Sequence, residues 1–467
     1  MNEPTIAALA TPAGTGGISI IKISGPQAVA IASILFRSGP GEPAAAASET
    51  GFQSHHLHYG HIVDPANGDP VDEVLLAVMK APRTYTREDV VEINSHGSPA
   101  AVQAILELVL RNGARLAEPG EFTRRAFLNG RIDLTQAEAV CDLINARSAR
   151  ALEISAAQMK GALAEEILSI RGSCVGLLAR IEAELDFPED MDEMLDPEAL
   201  RQDLHARVIE PVQRLTRLYT DGRAIREGLN VALVGRANVG KSSLMNRMLG
   251  RDRSIVTPFP GTTRDAVEDV LVINGVAVSL WDTAGLQEPG NPIEAIGIEK
   301  TLERTEQADL ILFVMEANRP LGDHDFRIFD RVRSKALVLV FNKIDLAAEG
   351  SVESMLPPGW PPFPRVATSA LTGLGLEELR AMIARSAWSE NALDGAGKIM
   401  PNLRQKKIIE RCADAAAAAI GCLDSGGGPE LVAIHLKEGV DLLDEILGSR
   451  VKTDILDSIF SRFCIGK

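Results

Sequence analysis

Residues 235–242, Gly-Arg-Ala-Asn-Val-Gly-Lys-Ser, lie between the apolar run Val231–Val234 and a helix-forming stretch from Ser243 to Leu249. An apolar strand, a glycine-bearing turn and a helix in that order leave little freedom. The turn must sit at the C-terminal end of a strand in a doubly wound α/β sheet. Its glycines let successive backbone N–H groups turn inward at a helix N-terminus, where an anion is favoured. Asn238, Val239, Gly240, Lys241, Ser242 and Ser243 therefore line a phosphate site. Lys241 is expected to reach the β- and γ-phosphates as a catalytic lysine, and the Ser242 hydroxyl to hold Mg2+.

Three further segments follow apolar runs in the same way. Asp282-Thr283-Ala284-Gly285 comes after Val276–Trp281, and its aspartate is suited to reach Mg2+ through water. Asn342-Lys343-Ile344-Asp345 comes after Leu337–Phe341. The Asp345 carboxylate accepts two hydrogen bonds from guanine, at N1–H and the exocyclic amino group, a pair that adenine does not offer. Ser369-Ala370, after Arg365–Thr368, offers a backbone N–H to guanine O6. The order predicts a GTP-binding domain over residues 229–390.

The usual water-positioning group is missing. Many GTPases carry Gln directly after the glycine of Asp-x-x-Gly. Here Leu286 takes that place, and Gln287 is one residue late. Water positioning and charge neutralisation must come from elsewhere. The amide oxygen of Asn238, beside the phosphates, suits a monovalent cation; its competing role is to stabilise the loop alone. The segment Thr257–Asp265 matches switch I. Its Thr263 hydroxyl suits Mg2+ in the GTP state, and its carbonyls suit a K+ cage that replaces the charge of an arginine finger.

The rest of the chain sets bounds. At 467 residues it is expected to form about three domains. There is no charged-then-apolar leader and no apolar span of roughly 18 residues, so a soluble, cytoplasmic protein without a membrane partner is expected. The five cysteines include no C-x-x-C pair, which argues against zinc fingers and a disulfide framework. A net charge of −16 disfavours non-specific coating of nucleic acid. His56 and His58 share one strand face, but nothing nearby completes a metal set, and the stretch reads as an exposed strand. Residues 1–120 mix strands (Ile18–Ile23, Val74–Met79) with a helix from Ala101 to Arg111. Residues 121–228 and 391–467 read as helical, the latter broken at Ser425–Pro429. Neither helical stretch looks self-sufficient. The expected architecture is an N-terminal α+β domain, one discontinuous helical bundle, and an α/β P-loop GTPase domain inserted between the halves of the bundle.

With the flanks read, the chain resembles, end to end, the MnmE (TrmE) family of tRNA-modification GTPases. The specific segments are Thr5–Pro12, Tyr85–Glu92, Pro119–Asn129, Gly130–Ala139 and Phe463–Lys467. The resemblance implies a folate-binding-like N-terminal domain that also forms a homodimer. It implies a site for 5-formyl- or 5,10-methylene-tetrahydrofolate at Lys22, Glu92, Arg131 and Lys467. It implies an FAD-containing partner, MnmG (GidA), in a heterotetramer. Together the two would add an aminomethyl or carboxymethylaminomethyl group at C5 of the wobble uridine of certain tRNAs. In the family pattern Asn238 and backbone groups of Thr257, Phe259 and Thr262 hold K+, and Glu294 helps to position water. Cys464 is read either as a catalytic thiol or as a small buried residue. The rival class is a GTP-dependent assembly or signalling switch without one-carbon chemistry, which needs neither the folate residues nor Cys464. Ala237, Thr15 and Gln287 depart from the family's common residues; Thr15 removes a cation and any contact it would make.

Overall fold

The computed structural model describes residues 3–39, 51–186, 196–252, 269–282, 305–347, 356–357, 360–387 and 399–467. They fall into two compact units, one drawn from residues 1–141 and 443–467, the other from residues 142–442.

The first unit is built on a seven-stranded sheet in the order β3-β4-β5-β6-β2-β1-β7. The strands are β1 (Ile6–Leu9), β2 (Gly16–Ser24), β3 (Phe36–Arg37), β4 (His56–Val63), β5 (Pro70–Met79), β6 (Val90–Gly97) and β7 (Arg115–Leu116). Side chains alternate between faces along a strand. Ile21, Ile23, Leu76, Val78, Val91 and Ile93 point to one face and pack against helices Ala28–Leu35 and Pro99–Arg111. The second helix begins two residues before the expected Ala101 and ends, as read, at Asn112. Lys22 and Glu92 fall on the opposite face, directly across the β2–β6 pair. Helix Glu121–Leu128 covers that face with Phe122, which clusters with Ile6, Ala8 and Tyr85. The fully buried Arg125 fixes this helix, donating to Glu88 (3.1 Å), Glu121 (2.8 Å) and the Pro4 carbonyl (2.8 Å). The C-terminal helix Thr453–Phe460 belongs here too. Its Leu456, Ile459 and Phe460 pack with Leu134, Ala137 and Val140.

The second unit contains the six-stranded sheet β13-β12-β11-β8-β10-β9. Its strands are β8 (Leu229–Val234), β9 (Asp269–Ile273), β10 (Val276–Asp282), β11 (Leu310–Glu316), β12 (Leu337–Asn342) and β13 (Arg365–Ala367). All neighbours are parallel except β9, which runs antiparallel to β10. Parallel strands covered on both faces must be apolar throughout. β8, β10, β11 and β12 are accordingly buried along almost their whole length. The chain leaves β8 toward β10 on one side and β11 on the other, which makes the end of β8 the topological switch point where α/β sheets bind ligands. Helices Lys241–Asp252, Asp323–Val332 and Leu376–Ala387 belong to the unit with the sheet, as do Ala149–Met159, Ala162–Asp186, Pro197–Leu204, Glu210–Glu227 and Leu403–Asp424. Leu403–Asp424 lies along Glu210–Glu227. Among the described residues no helix is long and apolar enough to cross a membrane.

Candidate functional site

The turn after β8 folds around Lys241. Its ammonium donates to the carbonyls of Gly235 and Arg236, both at 2.9 Å. Burial pushes its pKa down, opposed by the nearby Asp282 carboxylate. Helix Lys241–Asp252 starts at this residue, so Ser242 and Ser243 stand exposed on its first turn. The Ser242 hydroxyl donates to Asp282 Oδ2 at the end of β10. Asp282 Oδ1 is buried without a hydrogen-bond partner among the described residues. A hydroxyl touching a carboxylate that has an oxygen to spare is a donor set that fits a hard divalent cation.

Asn342, 1% exposed, ties three motifs together. Its amide nitrogen donates to the Val239 carbonyl at 2.9 Å. Its oxygen accepts from the Ala370 N–H at 3.1 Å and the Thr368 hydroxyl at 3.4 Å. Of the Ser369-Ala370 backbone, from which the sequence offers an N–H to guanine O6, the Ala370 N–H serves this brace and the Ser369 N–H donates to the Leu374 carbonyl at 3.0 Å. Gly240 has no alternative here. Its φ is +93°, and a Cβ would stand 2.4 Å from Asn342 Nδ2. Asn238 and Lys343 also adopt left-handed backbone, φ +65° and +62°. For non-glycine residues this costs about 1–3 kcal/mol each, so surrounding contacts must hold them. One such contact joins the two: Lys343 Nζ donates to the Asn238 carbonyl at 2.7 Å. The exposed Asn238 side-chain amide bonds to no described residue. Asp345 sits in the short 3-10 turn Ile344–Leu346 with its carboxylate exposed. Thr257, Phe259, Thr262, Thr263, Thr283, Ala284, Gly285, Leu286, Gln287 and Glu294 lie outside the described residues.

The first unit holds a second cluster. Lys22 Nζ is 3.7 Å from the Glu92 carboxylate and lies over two rings, 5.5 Å from the Phe122 centroid and 5.9 Å from that of Tyr85. The Arg131 guanidinium stacks on the same Tyr85 ring at 4.7 Å and donates to the Tyr85 carbonyl at 3.0 Å. The Tyr85 hydroxyl meets Thr123 Oγ1 at 2.9 Å. Burial lowers the pKa of Lys22; Glu92 opposes the shift and the Lys467 ammonium adds to it. The Lys467 carbonyl accepts from the Phe122 N–H at 3.2 Å. Cys464 is exposed, which corrects the buried alternative, and its carbonyl accepts from the N–H groups of Gly120 and Lys467. Tyr85 and Phe122, the rings beneath Lys22 and Arg131, are not among the residues that the sequence singles out. Both stood inside quoted family segments, and an aromatic residue between charged ones was the available signal.

Two family models match the chain: "GTP-binding protein TrmE N-terminus" over residues 5–131 and "MnmE helical domain" over residues 134–464. Among curated proteins, it is similar to the tRNA modification GTPase MnmE of Moorella thermoacetica, 46% identical with 100% of both chains covered. That of Syntrophobacter fumaroxidans is 45% identical over 99% of this chain and 98% of the relative. Among solved structures, Era of Aquifex aeolicus bound to GDP.AlF4- is 30% identical, covering 40% of this chain and 66% of that one, with a TM-score of 0.30. The G domain of T. maritima FeoB is 29% identical over 34% of this chain and 98% of that one, with a TM-score of 0.26. With family models covering both its N-terminal and its helical regions, and relatives matched from end to end, the chain belongs to the MnmE family of tRNA modification GTPases.

Proposed function

We propose that this chain hydrolyses GTP at the loop after β8 and uses a one-carbon unit of tetrahydrofolate, bound in its first unit, to modify tRNA. The GTP half is supported by the three motifs braced through Asn342, by the Ser242–Asp282 contact and by family membership. Ser242 and, in the GTP state, Thr263 would hold Mg2+, with Asp282 acting through water; the ion supplies charge neutralisation on the phosphates. Asn238, with backbone groups of Thr257, Phe259 and Thr262, would hold K+, and Glu294 would orient water. Lys241 keeps a cation against the phosphates in a buried setting, where its field is least screened.

The observation that carries the folate half is the convergence of Lys22, Glu92, Arg131 and the C-terminal Lys467 around Tyr85 and Phe122. Three cations suit the glutamate tail of a folate, and Glu92 accepts from donors on a pterin edge. The substrate proposed is the wobble uridine of certain tRNAs, substituted at C5. The proposed assembly is a homodimer with the FAD-containing MnmG in the cytoplasm. Titration of the purified chain with 5-formyl-tetrahydrofolate tests this half. Glu92→Gln and Arg131→Ala should each weaken binding about tenfold or more, the loss of a charge-assisted hydrogen bond, and leave GTP affinity unchanged. Because Lys22 gives up its proton earlier than an exposed lysine, binding should also fall sooner on the alkaline side. No folate binding by the parent chain would favour a switch without one-carbon chemistry.

The cation reading has its own test. K+ should accelerate GTP hydrolysis and Na+ should not. Asn238→Ala should lose most of the stimulation while still binding GTP. Equal rates in the two salts for the parent chain would refute a K+ role.

A further inference from the structure

Glu316 is the last residue of β11, after six buried apolar residues. β11 lies between β8 and β12, and Glu316 is paired with Asn342. The strand end therefore emerges between the phosphate loop, which follows β8, and the guanine loop, which follows β12. The Glu316 carboxylate pairs with the Lys343 ammonium and lies 3.8 Å from Arg236 in the phosphate loop. Arg236 is held from its other side by Asp325 at 3.2 Å. Asp325 is 1% exposed, and its second oxygen accepts from the Gly322 N–H at 2.9 Å, capping helix Asp323–Val332. Four charges of alternating sign thus run from the guanine loop, through the phosphate loop, to a helix N-terminus.

We propose that Glu316 is a positioning residue for guanine nucleotide, holding the Lys343 ammonium on the Asn238 carbonyl and so locking the two nucleotide loops together. Asn238 and Lys343 both occupy left-handed backbone that non-glycine residues leave readily. The 2.7 Å hydrogen bond between them opposes that relaxation. Lys343 is part-exposed, so without a fixed counter-charge its ammonium gains more from water than from a single carbonyl. Glu316, 15% exposed, supplies that counter-charge from a rigid strand end. Arg236 retains Asp325 when Glu316 is changed, so the effect should pass through Lys343. The inference rests on the reading of these loops as a GTP site.

The test is a double-mutant cycle on the full chain, read by displacement of a fluorescent GDP and by steady-state GTP hydrolysis. Glu316→Gln keeps the shape and removes the charge. It should weaken GDP binding about tenfold, the loss of one charge-assisted hydrogen bond, with kcat at saturating GTP essentially unchanged. In a Lys343→Met background the same change should add nothing, because its partner is already gone. A role in supporting the strand would instead be additive. If circular dichroism shows Glu316→Gln unfolded, Glu316→Asp enters the same cycle, with a smaller loss that also vanishes in the Met background. Full additivity, or unchanged GDP affinity in a folded Gln variant, overturns the proposal. A parent chain that binds no GDP overturns the nucleotide reading together with it.

Discussion

Asp345→Asn should weaken guanine-nucleotide binding by about 2–4 kcal/mol, the loss of an ionised partner to two donors. It should also redirect the site toward xanthosine nucleotides. Guanine presents N1–H and an exocyclic amino group, both donors. An asparagine amide can match only one of them, and its NH2 faces the other donor. Xanthine carries an oxygen where guanine carries the amino group, so the amide pairs with it correctly. The structure provides the setting for a specific effect. Asp345 is exposed on a 3-10 turn, and its side chain bonds to none of the described residues. Asn342 beside it is the buried brace of the loops. Fluorescence titration with GDP and XDP reads both changes, and an unchanged affinity for GDP would remove Asp345 from the base site.

The α/β sheet of the second unit was legible because parallel strands must be apolar along their length. Val231–Val234, Val276–Trp281 and Leu337–Phe341 could be read as strands without a partner in view, and the motifs at their ends followed. The cluster around Lys22 and Glu92 was harder. Lys22 and Glu92 face each other only because β2 and β6 pair in one register, and a slip of β6 by one residue would turn Glu92 to the face packed on Ala28–Leu35 and Pro99–Arg111, away from Lys22. No local pattern encodes that register; resemblance named the residues, and the aromatic floor of Tyr85 and Phe122 went unseen. The C-terminal stretch shows the same limit. Helical periodicity marks Thr453–Phe460 as a helix but does not say which surface it buries. Its partners are Leu134, Ala137 and Val140, rather than the bundle formed by Glu210–Glu227 and Leu403–Asp424. Glu316 was invisible for a related reason. A charge at the end of an apolar strand looks like the start of a loop until its neighbours are known.

The second large effect concerns coupling. Asp282→Ala removes the acceptor of the Ser242 hydroxyl and a carboxylate that opposes the desolvation of Lys241. GTP hydrolysis should fall by about two orders of magnitude, since a divalent ion contributes several kcal/mol of charge stabilisation. The change lies in the second unit, so the tetrahydrofolate binding proposed at Lys22, Glu92, Arg131 and Lys467 in the first should be untouched. If hydrolysis drives a conformational cycle that the modification requires, the variant will hold folate and still modify tRNA poorly. The central claim is that GTP hydrolysis and folate chemistry in this one chain serve the same tRNA reaction. Its most direct test is reconstitution of the chain with the FAD-containing partner, tRNA, 5,10-methylene-tetrahydrofolate as the carbon donor and ammonium or glycine as the nitrogen donor, followed by mass analysis of the wobble nucleoside. Multiple-turnover modification with GTP, lost with a non-hydrolysable analogue and lost again when folate is omitted, is the predicted result. Full modification with the analogue, or without folate, would contradict it.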